Sequence, residues 1–204
     1  MNLKKRLKRE KSSITRVKLI CSTMMILMPY MVVVLKDEGI FKNWEFSFAI
    51  SYAILVDGLL FIYILKSISD LHLSFYVGQQ KIKIKDGLFK LYFQVQLQKV
   101  IYIDIIKRKN DDFEIFIIMK KGKRNKRYVP FNIEFLKAHP QFRLTYEYLS
   151  ENNVIVDFLG TYIRKGGVKK YYLLYLLYKN SHNSECSKVA LEYVKRFMEE
   201  YNMS

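Results

Sequence analysis

Two apolar runs, LICSTMMILMPYMVVVL at Leu19–Leu35 and FSFAISYAILVDGLLFIYIL at Phe46–Leu65, are separated by ten residues near the start of the chain. Neither run contains a Lys or Arg. A helix needs about 20 mainly apolar residues to cross a bilayer, and about 17 is the lower limit. The first run meets that limit and the second exceeds it. The short connector Lys36–Glu45 therefore predicts a transmembrane helical hairpin.

The charge distribution orients the hairpin. The whole chain carries +16 over 204 residues. Within residues 1–18, eight basic side chains face Glu10 alone, a local charge of +7. The connector is at −1, and the residues from Lys66 onward carry +11. Short basic flanks stay on the cytoplasmic side. The N-terminus and the large C-terminal part are thus expected inside, with the connector and its interfacial Trp44 outside. A secretory leader is the competing reading of the first run. The residues after it, LKDEGIF, show no small-x-small cleavage pattern, and a second apolar run follows directly. An uncleaved, multi-pass cell-membrane anchor is the expectation. Cys21 and Cys186 are far apart and define no disulfide framework, which fits a reducing cytoplasm. The abundance of Lys, Ile, Tyr and Asn points to a bacterial, AT-rich source.

Asp57, followed by Gly58, falls near the middle of the second run. An ionisable group at that depth costs about 2.5–3.5 kcal/mol on insertion scales and usually faces a partner or a polar cavity. It is the candidate intramembrane contact: a residue for helix association, or one hydrogen-bonded to Ser22, Thr23 or its own helix. Pro29 is expected to bend the first helix.

From Leu71 the pattern becomes alternating. HLSFYV, KIKIK, LFKLYFQVQLQ, KVIYIDII, FEIFIIM and RYVPF read as six short antiparallel strands joined in sequence. Turn signals lie at Gly78-Gln79-Gln80 and Asp86-Gly87. Such a meander favours a small barrel or a strongly bent sheet. Residues 132–151 read as helical segments interrupted at Pro140. VIVDFLGTYI is strand-like and precedes Gly166-Gly167. VKKYYLLYLLYK is compatible with a buried helix, an interfacial helix or a strand. Ser187–Tyr201 reads as an amphipathic helix burying Val189, Val194, Phe197, Met198 and Tyr201.

The segment KIKIKDGLFKLYFQVQLQKVIYIDII resembles the core of bacterial pleckstrin-homology-like domains, in which a strand, a Gly-containing turn and a second strand lead through a polar-apolar stretch into a third. Two transmembrane helices before such a domain are a familiar arrangement of small bacterial membrane proteins. The resemblance covers roughly Leu71–Leu149. It implies a β-barrel-like domain capped by a helix, acting in binding rather than catalysis. The expected fold class is therefore α+β: a two-helix transmembrane hairpin, a small antiparallel PH-like domain, and C-terminal helices. The expected organisation is a basic N-terminus at 1–18, the hairpin at 19–66, the PH-like domain at 67–151 and a helical extension at 152–204.

No nucleophile elbow, zincin motif, phosphate loop or dinucleotide fingerprint occurs. His72, His139 and His182 have no metal-like spacing. Asp111, Asp112 and Glu114 read as a solvated turn beside Lys107, Arg108 and Lys109. Neither an enzyme nor a bound cofactor or metal is expected. The strongest polar signal is the run 120–127, in which Lys120, Lys121, Lys123, Arg124, Lys126 and Arg127 are the basic residues. Placed between two apolar strands, it reads as a hairpin tip, either ordinary and solvated or turned toward an anionic leaflet. Each cation near such a leaflet contributes about 1 kcal/mol of attraction. The expected function is binding of a protein partner, a second copy of the chain, or anionic lipid. A membrane-anchored nucleic-acid-handling protein is one alternative, since Tyr and Phe interleave with Lys in LFKLYFQV. A small subunit of a transporter or membrane enzyme using Asp57 is the other.

Overall fold

The computed structural model describes residues 3–108, 112–122, 125–152 and 157–201. The chain divides into two units, Lys4–Leu71 and one built on His72–Ser204.

The first unit contains two long helices, α1 (Leu3–Asp37) and α2 (Asn43–Leu71). The basic leader does not precede α1 but forms its first turns. Its 35 residues give a length of about 52 Å at 1.5 Å per residue, well beyond the roughly 30 Å hydrocarbon thickness. Pro29 lies within α1. At its C-terminal end Gly39 takes φ +75°, and the Ile40 amide donates to the Leu35 carbonyl at 3.1 Å. Glu45 accepts from the Lys42 amide at 2.8 Å, half of a capping box that starts α2. Lys36 Nζ lies 4.2 Å from the Phe46 ring centroid. The most apolar window of each helix is only 6% buried. The core helix of a soluble protein hides most of such a window, whereas here the apolar side chains face outward.

The second unit holds two sheets. The strands β1 (Leu73–Val77), β2 (Lys81–Asp86) and β3 (Phe93–Gln96) pair antiparallel in sequence order. The other strands are β4 (Val100–Lys107), β5 (Phe113–Lys120), β6 (Val129–Pro130), β7 (Phe158–Ile163) and β8 (Glu185–Cys186). They form a second sheet in the order β6-β7-β5-β4-β8, with β8 parallel to β4. The six-strand meander expected from the sequence therefore stops after β3 and resumes as separate pairs. A 3-10 turn at Leu97–Lys99 separates β3 from β4. β6 is a two-residue edge strand at Pro130, which has no amide to donate, and it pairs with β7 rather than with β5.

β5 is buried at every position from Phe113 to Met119. A strand covered on both faces reads as a continuous apolar run rather than an alternating one. One face is covered by α3 (Ile133–Ala138), a 3-10 turn at Pro140–Phe142, and α4 (Arg143–Asn152). There Phe116, Ile118, Phe131, Phe135, Phe142, Leu149 and Phe158 form one core cluster. The break at Pro140 falls where the sequence places it. On the other face Phe113 meets Tyr171 of α5 (Lys169–Asn180) and Tyr193 of α6 (Lys188–Tyr201) edge-on, each at 4.8 Å. The ambiguous VKKYYLLYLLYK segment is thus the buried helix α5. In α6 Val194 and Phe197 are buried as expected. Ala190 and Tyr193 join them, while Val189, Met198 and Tyr201 are half-buried.

Residues 152–204, read from the sequence as a helical extension, supply β7 between β5 and β6 and β8 at the far edge. They are part of the same core. Gly160 of β7 is required by the close approach of that core. A Cβ there would lie 2.6 Å from Cζ of Phe116, whose ring is held by Phe131, Phe135, Phe142 and Tyr162. Gly160→Ala is expected to destabilise the protein by about 1–3 kcal/mol through overpacking. Thermal unfolding of the full chain in detergent checks this, with a lowered midpoint as the expected result.

Candidate functional site

The basic run 120–127 does not form a hairpin tip. The strands on either side of it, β5 and β6, are not neighbours, because β7 lies between them. Its members have different roles. Lys121 pairs with Asp157 at 2.5 Å on the surface. Arg127 turns inward, where its guanidinium pairs with the buried Asp86 carboxylate and lies 4.9 Å from the Phe93 ring. Lys120 and Lys126 are exposed. Lys123 and Arg124 lie outside the described residues.

A cationic surface that sequence reading passed over lies on the three-stranded sheet. In β2, Ile82, Ile84 and Asp86 are buried, so Lys81, Lys83 and Lys85 occupy the opposite face. Register places Lys81 across from Gln96 and Lys83 across from Gln94 and Tyr76, with Ser74 across from Lys85. No acidic residue interrupts this set. The signal was present in KIKIK, whose alternation assigns all three lysines to one side.

β3 also borders a cavity of about 250 Å³, lined among others by Tyr92, Gln94, Gln96, Lys99, Lys120 and Asn125. Tyr128 closes it, its hydroxyl donating to the Gln94 carbonyl. Lys99 Nζ lies 3.1 Å from where a Cβ of Gly122 would be, so glycine there leaves room for the ammonium. Two lysines and the amides of Gln94, Gln96 and Asn125 share this recess with the apolar Met119 and Leu159, a mixed lining that suits an anionic or hydrogen-bonding group carried on an apolar one.

Other polar side chains pair within the fold. Asp112 stands at the β4–β5 hairpin turn as the sequence indicates, its carbonyl accepting from the Arg108 amide at 2.8 Å, but it is ion-paired rather than merely solvated, and Glu114 belongs to β5. Glu114 is buried and paired with Arg108 and, at 3.5 Å, with Arg164. Asp112 accepts from Lys170 Nζ at 2.6 Å. Lys170 is fully buried and also donates to the carbonyls of Phe113 and Arg164. Its three N–H donors thereby have three acceptors, which lets the charge sit inside the fold. Asp111 lies outside the described residues.

His139 packs on Phe135 at 4.6 Å between ring centroids, and His182 is exposed. Among the described residues no group of three or more His, Cys, Asp or Glu comes together. Burial raises the Cys186 thiol to about 11, so it is not a thiolate at neutral pH. In α2 Asp57 is half-buried, and its Oδ1 has no hydrogen-bond partner among the described residues. The hydrogen bond to Ser22 or Thr23 that the sequence allowed is not made by this oxygen. Comparison with protein-family models, curated proteins and solved structures finds no match.

Two outcomes follow from this electrostatic layout. Arg127→Gln leaves Asp86 charged and buried with Lys90 at 3.5 Å as its remaining cation. The loss of stability is expected to be about 3 kcal/mol, readable as a lowered unfolding midpoint, and Asp86→Asn in the same chain should recover part of it. His72 lies below its usual 6.5 because of burial first, and then the nearby Lys85 and Lys169 charges. The unfolded chain therefore takes up the proton more readily. Stability should fall as pH drops below about 6.5, and His72→Gln should flatten that part of a stability–pH profile.

Proposed function

We propose that this chain is a non-catalytic integral protein of the cell membrane, with its N-terminus and C-terminal domain in the cytoplasm. In this reading the domain is PH-like and binds an anionic membrane surface or a protein partner. The observation that carries it is the uninterrupted cationic face Lys81-Lys83-Lys85, continuous with Gln94 and Gln96 of the lysine-bearing cavity. Two outward-facing apolar helices support the membrane anchor. The order of β1, β2 and β3, followed by β4, β5 and a helical segment, supports the PH-like reading.

Lysines on a sheet face contribute by proximity rather than by fixed geometry, about 1 kcal/mol each near an anionic leaflet. The attraction needs no single ligand and weakens with salt. Arg127 and Lys121 contribute little to it, because Asp86 and Asp157 already neutralise them. Asp57 acts in helix association: its shielded, unbonded oxygen fits a contact completed by another membrane segment.

Flotation of the His72–Ser204 unit with vesicles tests the surface reading. Binding is expected to vesicles containing phosphatidylglycerol and not to phosphatidylcholine alone. It should be lost when Lys81, Lys83, Lys85 and Lys120 are changed to Gln. Equal flotation of the altered unit overturns the role of this face.

A further inference from the structure

We propose that the loop between β2 and β3, Leu88–Tyr92, is a tip that inserts into the interface of the same bilayer. The proposal rests on reading α2 as a membrane span. Three of its residues are large, apolar or aromatic, and exposed: Phe89 at 74%, Leu91 at 85% and Tyr92 at 55%. A soluble hairpin usually carries polar residues at such positions. Here the polar residue between them is Lys90.

Both ends of the loop are fixed. At one end Gly87 takes φ +117°, and its amide donates to the His72 carbonyl at 2.8 Å. At the other, Phe93 is buried in the sheet. Phe89, Leu91 and Tyr92 are exposed between these two anchored ends.

The His72 bond also defines where the loop lies. Leu73 pairs with Asp86, so the loop emerges from the sheet at the end where β1 begins. His72 is joined to Leu71, the last residue of α2, by a single peptide bond. The apolar tip thus belongs to the end of the domain at which the chain comes from its membrane segment.

Charge at that end fits a lipid interface. Lys85 Nζ lies 5.8 Å from the Tyr92 ring centroid. Lys169 reaches the Leu73 carbonyl at 3.5 Å, and both lysines act on His72. Apolar side chains with lysines beside them suit the headgroup and acyl boundary, the level at which amphipathic helices bury their apolar faces. Each lysine there strengthens attachment to an anionic leaflet roughly fivefold.

The test uses the full chain in nanodiscs of phosphatidylcholine and phosphatidylglycerol, with acyl chains brominated close to the glycerol. Trp44 is the single tryptophan. In a Trp44→Phe background, Leu91→Trp is expected to emit to the blue, to be quenched by the brominated lipid and to resist aqueous iodide. Leu144→Trp in the same background, at a site of α4 that is 79% exposed, should stay iodide-accessible and unquenched by lipid. The wild-type chain reports separately on the anchor through Trp44. If Trp44 is quenched by lipid while the Leu91→Trp variant is open to iodide, the tip is free for a protein or a second copy. That outcome overturns the insertion and leaves the anchor standing. If neither fluorophore is quenched, the membrane reading falls as well. Equal lipid quenching of the Leu144→Trp variant also overturns a specific role for the loop.

Discussion

Everything in the second unit depends on β5 being dry on both faces. Seven consecutive positions, Phe113–Met119, are buried, and a single layer cannot cover both sides of a strand. One cover comes from residues 133–152, just downstream of the basic run. The other comes from α5 and α6 near the end of the chain. The domain therefore cannot close until most of its sequence is present. The strand also buries Glu114, which requires the Arg108 and Arg164 cations beside it. These ion pairs follow from the central strand and are not a separate device.

The sequence disclosed elements better than partners. The two apolar runs were legible because a membrane span is defined by local length and composition. The break at Pro140 and the amphipathic face of α6 were legible for the same local reason. Strand order was not. β7 comes from VIVDFLGTYI, far downstream, and no period in the chain announces that it will separate β5 from β6. The fate of VKKYYLLYLLYK was hidden because a segment apolar on all sides has no preferred face. Only the surface it covers, Phe113 and its neighbours, decides that it is a helix in the core.

The same limit governed the site. A run of six cations within eight residues attracts attention in a sequence, yet adjacency along the chain does not make a patch. Arg127 was lost to Asp86, a partner 41 residues away, and Lys121 to Asp157. The less conspicuous KIKIK does make a patch, since a period of two keeps its lysines on one face and the isoleucines between them in the core. Regularity matched to the secondary structure was more informative than charge density.

Attachment changes what such a face needs to accomplish. One residue, His72, separates α2 from β1, so on the membrane reading the domain never leaves the bilayer surface. The local concentration of lipid is then set by the tether, and contacts that give the isolated unit a measurable affinity for an anionic leaflet need only orient the attached one. Three lysines and an apolar tip are a modest set on that scale. On the membrane reading they act together with the tether rather than in place of it.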